Sequence, residues 1–415
     1  MMQKFRIIGG NSVRGKLRVQ GAKNASLPII AASLLIKEEV VLHNVPRLRD
    51  VNTLLEILTF MGVEHQFEGN TLVINAKTIQ QPAAPYELVK QMRASILVMG
   101  PLISRLGEVE VARPGGCAIG HRPIDVHING FKRMGVDIQE FAGTIKAKGW
   151  PKGGTIYLEE RSVTGTENLI MGSVMAKNTT RLINVALEPH VRELIQFLNK
   201  AGAKIDMEGD QLLIHPVSEL HGIEYTIGPD YIEADTFMAA AAITCGDIFI
   251  EGARWEDSTS EILKLQEAGV EIHKDGPGIR VTCARRFKAV NFKTAPYPGF
   301  PTDFQPIFSA VLTLAEGTSF VEESLYENRF THFPELQRMG ARVAIEDRVA
   351  TIYGVEKLWG APVMASDARC GAALVVAALG AEGESTIDRV YHIDRAYERL
   401  DDKLRSVGAE IERIG

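Results

Sequence analysis

Apolar and polar positions along this 415-residue chain repeat with a period of about seventy residues. In each repeat, a hydrophobic residue, a glycine and a Val or Ala open a stretch in which apolar and polar residues alternate. Examples are MGVEHQFEGNTLVI (61–74) and AGAKIDMEGDQLLI (201–214). Such alternation around a polar turn predicts a β-hairpin. The phrase occurs six times and predicts six similar units, opened by Gly62, Gly135, Gly202, Gly269, Gly340 and Gly408.

The residues before each glycine predict a helix. Leucine and isoleucine recur at three- and four-residue spacing in VNTLLEILTFM (51–61) and VRELIQFLNKA (191–201). This spacing is typical of an amphipathic helix, and glycine suits its end because glycine accepts a left-handed backbone. Further upstream lies a more apolar helix, such as FMAAAAITC (237–245), followed by a short strand. With the preceding strand added, each unit reads as a βαβαββ motif.

Units of this size cannot bury both faces of their helices alone, so they are expected to share cores. We therefore predict an α/β fold with two domains of three repeats each. The first domain is placed at residues 22–229, and the second at residues 1–21 plus 230–415, with Gly228-Pro229 marking the boundary. Because small-molecule sites favour domain interfaces, a ligand site in a cleft between the domains is expected.

Composition narrows the class of function. Apolar residues make up 45% and charged residues 24% of the chain, the balance of a well-packed globular protein. The 46 Lys and Arg against 52 Asp and Glu give a net charge of −6, so no overall positive field favours nucleic acid. No apolar run reaches the roughly 18 residues of a membrane span, and MMQKFRIIGG does not resemble a secretory signal. We expect a cytoplasmic protein with no membrane or nucleic-acid partner.

The cysteines and histidines give no sign of a metal site. The four cysteines have neither metal-ligand nor redox-motif spacing, and no two histidines form an HxxxH pair. A disulfide framework is also not expected from four cysteines in a chain of this length. The cysteines are Cys117, Cys245, Cys283 and Cys370.

The segment GAKNASLP (21–28) leads directly into an apolar helix. Lys23 and Asn24 stand where this helix begins, so a cation and free backbone N–H groups would converge there. That combination suits a phosphate or a carboxylate. An ordinary helix start is the alternative interpretation of the same residues.

A glycine-rich basic loop surrounds Cys117 in RPGGCAIGHRPIDVH (113–127). Neighbouring cations lower a thiol's pKa, so Arg113, His121 and Arg122 favour a reactive cysteine. A small, buried, unreactive cysteine is the alternative. Two of the glycines have the spacing of a phosphate-binding P-loop, but His and Arg follow where Lys and Ser or Thr are required. A nucleotide triphosphatase is therefore disfavoured.

Asp303 lies in APYPGFPTDFQP (295–306), where three prolines and a glycine stiffen the chain before a helix. A carboxylate on a rigid turn can serve as a general base, although a helix N-cap is the simpler interpretation.

Four arginines complete the candidate residues. The planar guanidinium group binds carboxylate and phosphate in a bidentate manner, although a solvated surface arginine is common. Two of the four, in MRASI and SDARCG, precede apolar helices as Lys23 does, which is the pattern expected of converging anion sites. The four are Arg93, Arg329, Arg369 and Arg395.

Taken together, these motifs resemble the UDP-N-acetylglucosamine 1-carboxyvinyltransferases of the enolpyruvyl transferase family. The resemblance covers essentially the whole chain. It implies a two-domain inside-out α/β barrel built from six βαβαββ repeats, and a monomer without cofactor or metal. The motifs are, in order, GAKNASLP, MRASILVMGPL, PGGCAIGHRPIDVHI, SVTGTEN, PGFPTDFQ, ENRF, SDARCG and HIDRAYERLDDKL.

The resemblance also implies the reaction. Members transfer the enolpyruvyl group of phosphoenolpyruvate to the 3′-hydroxyl of UDP-N-acetylglucosamine and release phosphate, in the first committed step of peptidoglycan synthesis. Matching positions assign phosphoenolpyruvate binding to Lys23, Asn24, Arg122, Arg369 and Arg395. They assign UDP-sugar contacts to Arg93, Arg122, Pro123, Ile124, Asp125, Val126, Arg161, Ser162, Val163, Thr164, Asp303 and Leu325.

Catalytic roles follow by the same resemblance. Cys117 matches the cysteine that protonates C3 of the enolpyruvate, forms a covalent adduct and is alkylated by the epoxide fosfomycin. Asp303 matches the carboxylate that takes the 3′-hydroxyl proton, and Lys23 and Arg395 are grouped with the catalytic residues. Two further matched residues, Arg329 and Asp367, are expected to support the site.

Two alternatives remain at this stage. A 5-enolpyruvylshikimate-3-phosphate synthase shares the fold and reaction type but lacks this cysteine loop. A non-catalytic UDP-sugar-binding homologue is the other, and the joint presence of Lys23, Cys117, Asp303 and Arg395 argues against it. His121 stands where the family usually has a small residue. We hypothesise that it alters the pH response of the loop, and an unchanged pH–rate profile in His121→Ala would dismiss this.

Overall fold

The computed structural model describes residues 3–114, 120 and 124–415. Its contacts divide the chain into two compact units, each with its own hydrophobic core. The N-terminal unit contains Gly21–Gly116 and Arg122–Gly228. The C-terminal unit contains Pro229–Gly415 together with Met1–Gln20 and, from the described part of the glycine-rich loop, Gly120.

The described residues form 24 strands. In chain order they are β1 Lys4–Ile8, β2 Arg14–Arg18, β3 Glu39–His43, β4 Glu64–Glu68, β5 Thr71–Asn75, β6 Ala83–Ala84, β7 Glu108–Ala112, β8 Asp137–Phe141, β9 Thr144–Lys148, β10 Gly154–Tyr157, β11 Thr180–Ile183, β12 Lys204–Glu208, β13 Gln211–His215, β14 Glu224–Thr226, β15 Asp247–Glu251, β16 Glu271–Asp275, β17 Gly278–Thr282, β18 Phe292–Lys293, β19 Thr318–Glu322, β20 Arg342–Glu346, β21 Val349–Tyr353, β22 Pro362–Met364, β23 Glu384–Asp388 and β24 Glu410–Ile414.

The same residues form 13 α-helices and four short 3₁₀-helices. The α-helices are α1 Lys23–Ala32, α2 Arg49–Phe60, α3 Tyr86–Val89, α4 Met99–Leu106, α5 Asp125–Arg133, α6 Val163–Ser173, α7 Pro189–Lys200, α8 Tyr231–Ile243, α9 Thr259–Glu267, α10 Gln305–Leu312, α11 Phe333–Arg338, α12 Ala368–Gly380 and α13 Leu400–Ser406. The 3₁₀-helices are Ser33–Leu35, Arg93–Val98, Trp255–Asp257 and Val390–Arg395.

The strands form six four-stranded sheets with one common pattern: the first two strands pair in parallel and the others antiparallel. In the N-terminal unit the orders are β14-β3-β5-β4, β6-β7-β9-β8 and β10-β11-β13-β12. In the C-terminal unit they are β2-β15-β17-β16, β18-β19-β21-β20 and β22-β23-β1-β24. Six copies of one sheet confirm the predicted six-repeat α/β fold.

Helices of two kinds pack against these sheets. The apolar helices lie in the interior: every residue of α8 is buried, and α8, α10 and α12 contact one another. Alanine and aliphatic residues make up most of α8 and α12, and the polar residues of α8, such as Glu233 and Thr236, are buried as well. The helices before the repeat glycines, such as α2 and α7, bury only one face. Buried helices with sheets around them make the inside-out arrangement.

Each amphipathic helix is followed by its repeat glycine in a left-handed backbone. The φ angle is +80° at Gly62 and +107° at Gly202, values that a side chain disfavours. The helix therefore ends at a fixed point, and the chain turns into the next strand.

The last repeat departs from the predicted hairpin. After Gly408 only β24 follows, and its antiparallel partner is β1 from the other end of the chain, with Ile7 opposite Ile411. Strand β2 likewise joins a later sheet, in parallel with β15. The expectation of a hairpin within residues 407–414 is wrong, because the N-terminal segment supplies the missing strand.

Candidate active site

Asp303 lies between two buried arginines of the C-terminal unit. Its Oδ1 accepts a hydrogen bond from Arg329 Nη2 at 2.8 Å, and its Oδ2 accepts from Arg369 Nη2 at 3.0 Å. The side chains of Arg329 and Arg369 are 4% and 7% exposed, whereas that of Asp303 is 32% exposed. The N-cap interpretation is wrong: α10 begins at Gln305, Phe304 is its N-cap, and no side chain caps it. The carboxylate thus has cationic partners and an exposed edge.

Arg369 is fixed from two sides. Besides Asp303, its guanidinium donates to Tyr397 Oη at 3.1 Å, and that hydroxyl also bonds Thr236 Oγ1 at 2.9 Å. Burial lowers the pKa of Arg369, but its interactions with the Tyr397 hydroxyl and with the carboxylates of Asp303 and Asp230 outweigh it and raise the pKa overall. Burial also raises the pKa of Tyr397. Arg369 is therefore a permanent cation with a defined orientation beside the exposed carboxylate.

Glu323 holds the segments on either side of the Asp303 carboxylate. It is 1% exposed, and its Oε2 accepts from Thr302 Oγ1 at 2.9 Å, one residue before Asp303. Its Oε1 accepts from the backbone N–H of Leu325 at 2.9 Å and of Tyr326 at 3.1 Å. Its sequence context, the acidic pair Glu322-Glu323 at the end of β19, predicts no such role.

Asp367 and Arg395 occupy defined backbone positions in the same unit. Asp367 is the N-cap of α12, where its Oδ1 accepts from the N–H groups of Arg369 and Cys370 at 2.9 and 3.1 Å. This cap fixes the first turn that carries Arg369. Arg395 is the last residue of the 3₁₀-helix Val390–Arg395 and is half-buried.

In the N-terminal unit, Lys23 begins α1, as predicted. The residue before it, Ala22, is extended and offers no side-chain cap, so the first N–H groups of the helix have no capping side chain. Lys23 Nζ forms a 2.8 Å ion pair with Asp50 Oδ2, and the two side chains are 16% and 5% exposed. Asn24 follows on the first turn and is half-buried. A partly exposed cation at a helix start is a suitable anion site.

Arg93 and Thr164 are connected through a buried histidine. Asn168 Oδ1 accepts from Gly100 N at 2.6 Å, so its amide Nδ2 faces His127 Nδ1 at 2.9 Å as the donor. The other ring nitrogen therefore carries the proton and donates to Thr164 Oγ1 at 3.3 Å. Burial and then the charge of Arg93 lower the pKa of His127 to about 3. His127 is thus neutral, and it leaves the Thr164 hydroxyl free to donate.

Of the glycine-rich segment 113–127, the structure describes residues 113, 114, 120 and 124–127. Ile124 is buried directly before α5, Asp125 is the exposed first residue of that helix, and Val126 is half-buried. The other predicted site residues of this loop lie outside the described residues and stay predictions, namely Cys117, His121, Arg122 and Pro123.

Arg161 to Val163 form the approach to α6. Ser162 is the N-cap and accepts a hydrogen bond from the first turn, and Val163 is the first helical residue. Arg161 is directed to its neighbours: Nε donates to Asn184 Oδ1 and Nη2 to Asp210 Oδ2, both at 2.9 Å. This pair is partly exposed, so an anionic ligand can compete for the arginine.

Two cysteines of the C-terminal unit have environments that disfavour reactivity. Burial raises the pKa of Cys283 and of Cys370 to about 11, which disfavours the reactive thiolate. Across residues 3–114, 120 and 124–415, no three His, Cys, Asp or Glu side chains are grouped to hold a metal ion. In the same part of the chain, no helix has the length and hydropathy to span a bilayer.

Comparison with known proteins identifies the relatives of this chain. Residues 7–404 match the family model described as EPSP synthase (3-phosphoshikimate 1-carboxyvinyltransferase). A UDP-N-acetylglucosamine 1-carboxyvinyltransferase from Methylacidiphilum infernorum (isolate V4) is 48% identical, over 100% of this chain and 99% of that protein. The protein of the same description from Dichelobacter nodosus (strain VCS1703A) is 47% identical with the same coverage.

Solved structures agree with the fold. The enolpyruvyl transferase NikO from Streptomyces tendae superposes with a TM-score of 0.90, covering 99% of both chains at 24% identity. An EPSP synthase from Acinetobacter baumannii superposes with a TM-score of 0.77, covering 100% of both chains at 18% identity. At these identities the likeness supports the fold alone.

Proposed function

Because this chain belongs to the EPSP synthase (3-phosphoshikimate 1-carboxyvinyltransferase) family, which comprises enolpyruvyl transferases, we propose that it transfers the enolpyruvyl group of phosphoenolpyruvate to UDP-N-acetylglucosamine. The 3′-hydroxyl is the acceptor, and inorganic phosphate is released. The observation that carries this choice is the 48% identity, across the full chain, to a relative named for that acceptor. The reaction would be the first committed step of peptidoglycan synthesis.

The charges of the described residues fit these substrates. Phosphoenolpyruvate carries a phosphate and a carboxylate, so a chain with a net charge of −6 needs local cations to hold it. Three such cations lie at helix ends. Lys23 is partly exposed, Arg395 is half-buried, and Arg369 is held in a defined orientation by Asp303. We assign phosphoenolpyruvate to these three with Asn24 and Arg122.

The UDP-sugar is assigned mainly to the N-terminal unit. The supporting observation is the His127 network, in which the neutral ring feels the charge of Arg93 and presents the Thr164 hydroxyl as a donor. Arg161 and the first turns of α5 and α6 add a cation and backbone N–H groups. The proposed contacts are Arg93, Arg122, Pro123, Ile124, Asp125, Val126, Arg161, Ser162, Val163, Thr164, Asp303 and Leu325.

The proposed chemistry is an addition followed by an elimination. Cys117 donates a proton to C3 of phosphoenolpyruvate, which leaves an electron-deficient C2. The 3′-oxygen bonds to C2 while Asp303 accepts the hydroxyl proton, and a tetrahedral intermediate forms. Loss of a proton from C3 then re-forms the double bond as the C2–O bond to phosphate breaks. Asp303 suits its role because its exposed edge faces outward while Arg329 and Arg369 hold the carboxylate in place.

Phosphate release measured with two acceptors tests the proposal. The protein is incubated with phosphoenolpyruvate and either UDP-N-acetylglucosamine or shikimate 3-phosphate. We expect turnover with the UDP-sugar alone. Turnover with shikimate 3-phosphate alone would identify an EPSP synthase activity instead, and UDP-sugar binding without turnover would identify a non-catalytic homologue.

We also propose that the protein works in the cytoplasm as a monomer. The charged substrates and the reducing environment that a catalytic thiol requires support this location. Light scattering after size exclusion tests the oligomeric state, and a mass of two chains would contradict it.

A further inference from the structure

Gln20 is the last residue of the N-terminal segment of the C-terminal unit, and it is 5% exposed. Its side-chain amide bonds the backbone at two points: Nε2 donates to Ala396 O at 2.9 Å, and Oε1 accepts from Glu398 N at 2.7 Å. These two points lie on either side of Tyr397. The amide of one residue therefore fixes a three-residue segment that is 376 positions away in sequence.

The backbone of Gln20 is held in turn by Glu233. The N–H of Gln20 donates to Glu233 Oε2 at 2.7 Å, and its carbonyl accepts from Asp230 N at 2.9 Å. Glu233 has no exposed surface, and its Oε1 accepts from Lys403 Nζ at 2.6 Å. A buried carboxylate with a cation and a backbone donor is fully satisfied. Gln20 thus has little freedom to move relative to α8 and α13.

The segment that Gln20 fixes leads directly to the candidate catalytic residues. Tyr397 is 1% exposed. The Thr236 hydroxyl donates to Ile232 O at 2.8 Å, so it must accept from the Tyr397 hydroxyl. The Tyr397 oxygen in turn accepts from Arg369. Arg369 in turn holds Asp303 at 3.0 Å. The links from Tyr397 to Arg369 and from Arg369 to Asp303 are hydrogen bonds between buried or half-buried groups.

We propose that Gln20 is a positioning residue for the enolpyruvyl transfer, orienting Arg369 through Tyr397 and fixing the backbone that carries Arg395. The inference rests on the proposed function, since it assigns the two arginines to phosphoenolpyruvate. Gln20 touches neither substrate in this scheme. It acts by setting the direction of the 395–398 segment, and a displacement of about 1 Å in a substrate-holding group lowers a rate by about a hundredfold.

The test compares three variants with a matched control. Gln20→Ala removes both amide hydrogen bonds, Gln20→Glu keeps only the one from Glu398, and Tyr397→Phe breaks the link to Arg369. Gln266→Ala is the control, because Gln266 also donates to a backbone carbonyl, that of Ile272 at 2.9 Å, in the same unit. The measurements are kcat/KM for phosphoenolpyruvate, UDP-N-acetylglucosamine affinity by calorimetry, and hydrogen exchange of the Glu398 amide.

We expect Gln20→Ala to lower kcat/KM for phosphoenolpyruvate by about ten- to a hundredfold, with Gln20→Glu intermediate and Gln266→Ala unchanged. Glu398 amide exchange should accelerate in Gln20→Ala but not in Gln20→Glu. UDP-sugar affinity should stay within twofold of wild type (about 0.4 kcal/mol), a result that general destabilisation would not give.

Wild-type kcat/KM in Gln20→Ala, together with faster Glu398 exchange, would overturn the inference. If Gln20→Ala does not fold, Gln20→Glu and Tyr397→Phe decide in the same way. A wild-type protein without turnover would refute the proposed function, and phosphoenolpyruvate affinity by calorimetry would then decide the inference separately.

Discussion

Replacing Asp303 by alanine tests the clamp of one carboxylate between two buried arginines. The change removes the carboxylate that the guanidinium groups of Arg329 and Arg369, which are 4% and 7% exposed, both bind. Breaking a buried ion pair costs about 3–5 kcal/mol, and the 32% exposure of Asp303 reduces this to about 2–3 kcal/mol. For a unit of this size the melting temperature should fall by about 5 to 10 °C.

Activity and stability should separate in Asp303→Asn. The amide oxygen still accepts from one arginine, so the loss of stability should be smaller than in Asp303→Ala. A proton acceptor is lost in both variants, and kcat should fall by about 10²- to 10⁴-fold in each. Differential scanning fluorimetry and the phosphate-release assay measure the two effects.

Asp388→Asn is the matched control. Asp388 pairs with Lys4 at 2.7 Å in the same unit, but both side chains are more than 40% exposed, so its removal should cost less than about 1 kcal/mol. Near-wild-type melting of Asp303→Ala would refute the argument that the clamp is stabilising. Near-wild-type kcat in Asp303→Asn would refute the assignment of Asp303 as the proton acceptor.

Three further outcomes are expected. Fosfomycin should add one adduct, at Cys117, because buried thiols with a pKa of about 11 such as Cys283 do not ionise at neutral pH; peptide mapping that finds the adduct elsewhere contradicts this. Thr164→Val should weaken UDP-N-acetylglucosamine binding about tenfold in calorimetry, since a half-buried donor is lost, and should cost about 1–3 kcal/mol of stability because the buried His127 Nε2–H loses its acceptor; an unchanged affinity contradicts the assigned contact. Burial lowers the pKa of His332 from 6.5 to about 3. Between these two pH values the unfolded chain binds a proton at this residue and the folded chain does not. The free energy of unfolding is therefore highest above pH 6.5 and decreases as the pH falls below it. Relative to wild type, His332→Phe should therefore gain about 1.4 kcal/mol per pH unit below 6.5 in urea unfolding, and a pH-independent difference would refute this.

The repeat architecture could be predicted because its signals are local. A helix with one apolar face, a glycine such as Gly62 and an alternating strand lie within a single short stretch. Each signal depends on backbone preference and burial of neighbouring residues. For the same reason α1 begins at the predicted Lys23, and α7, Pro189–Lys200, lies within two residues of the predicted stretch 191–201.

Pairings between distant segments could not be predicted in this way. Strand β1 completes the sheet of β24, and nothing in KFRII distinguishes that partner from any other edge. The last repeat therefore looked like a hairpin, although half of it lies at the other end of the chain.

The side-chain partners in the candidate site could not be predicted either, because they are also distant in sequence. The sequence placed Asp303 before a helix, which made a cap the simple interpretation, whereas its partners are arginines 26 and 66 positions away. Gln20 and Glu323 gave no sequence signal, because a single amide or carboxylate acquires a role only through the segments that surround it. His127 was passed over because its importance depends on burial beside Thr164.

The pairing of β1 with β24 has a consequence for biosynthesis. Arg6 meets Glu412 across 406 positions, so the sheet that holds both cannot close until ribosomes have made the far strand. The strands of the N-terminal unit all lie within residues 39–226 and are synthesised much earlier. The strands of the two units are therefore completed at different times, and β1 has no partner strand until β23 and β24 have been synthesised.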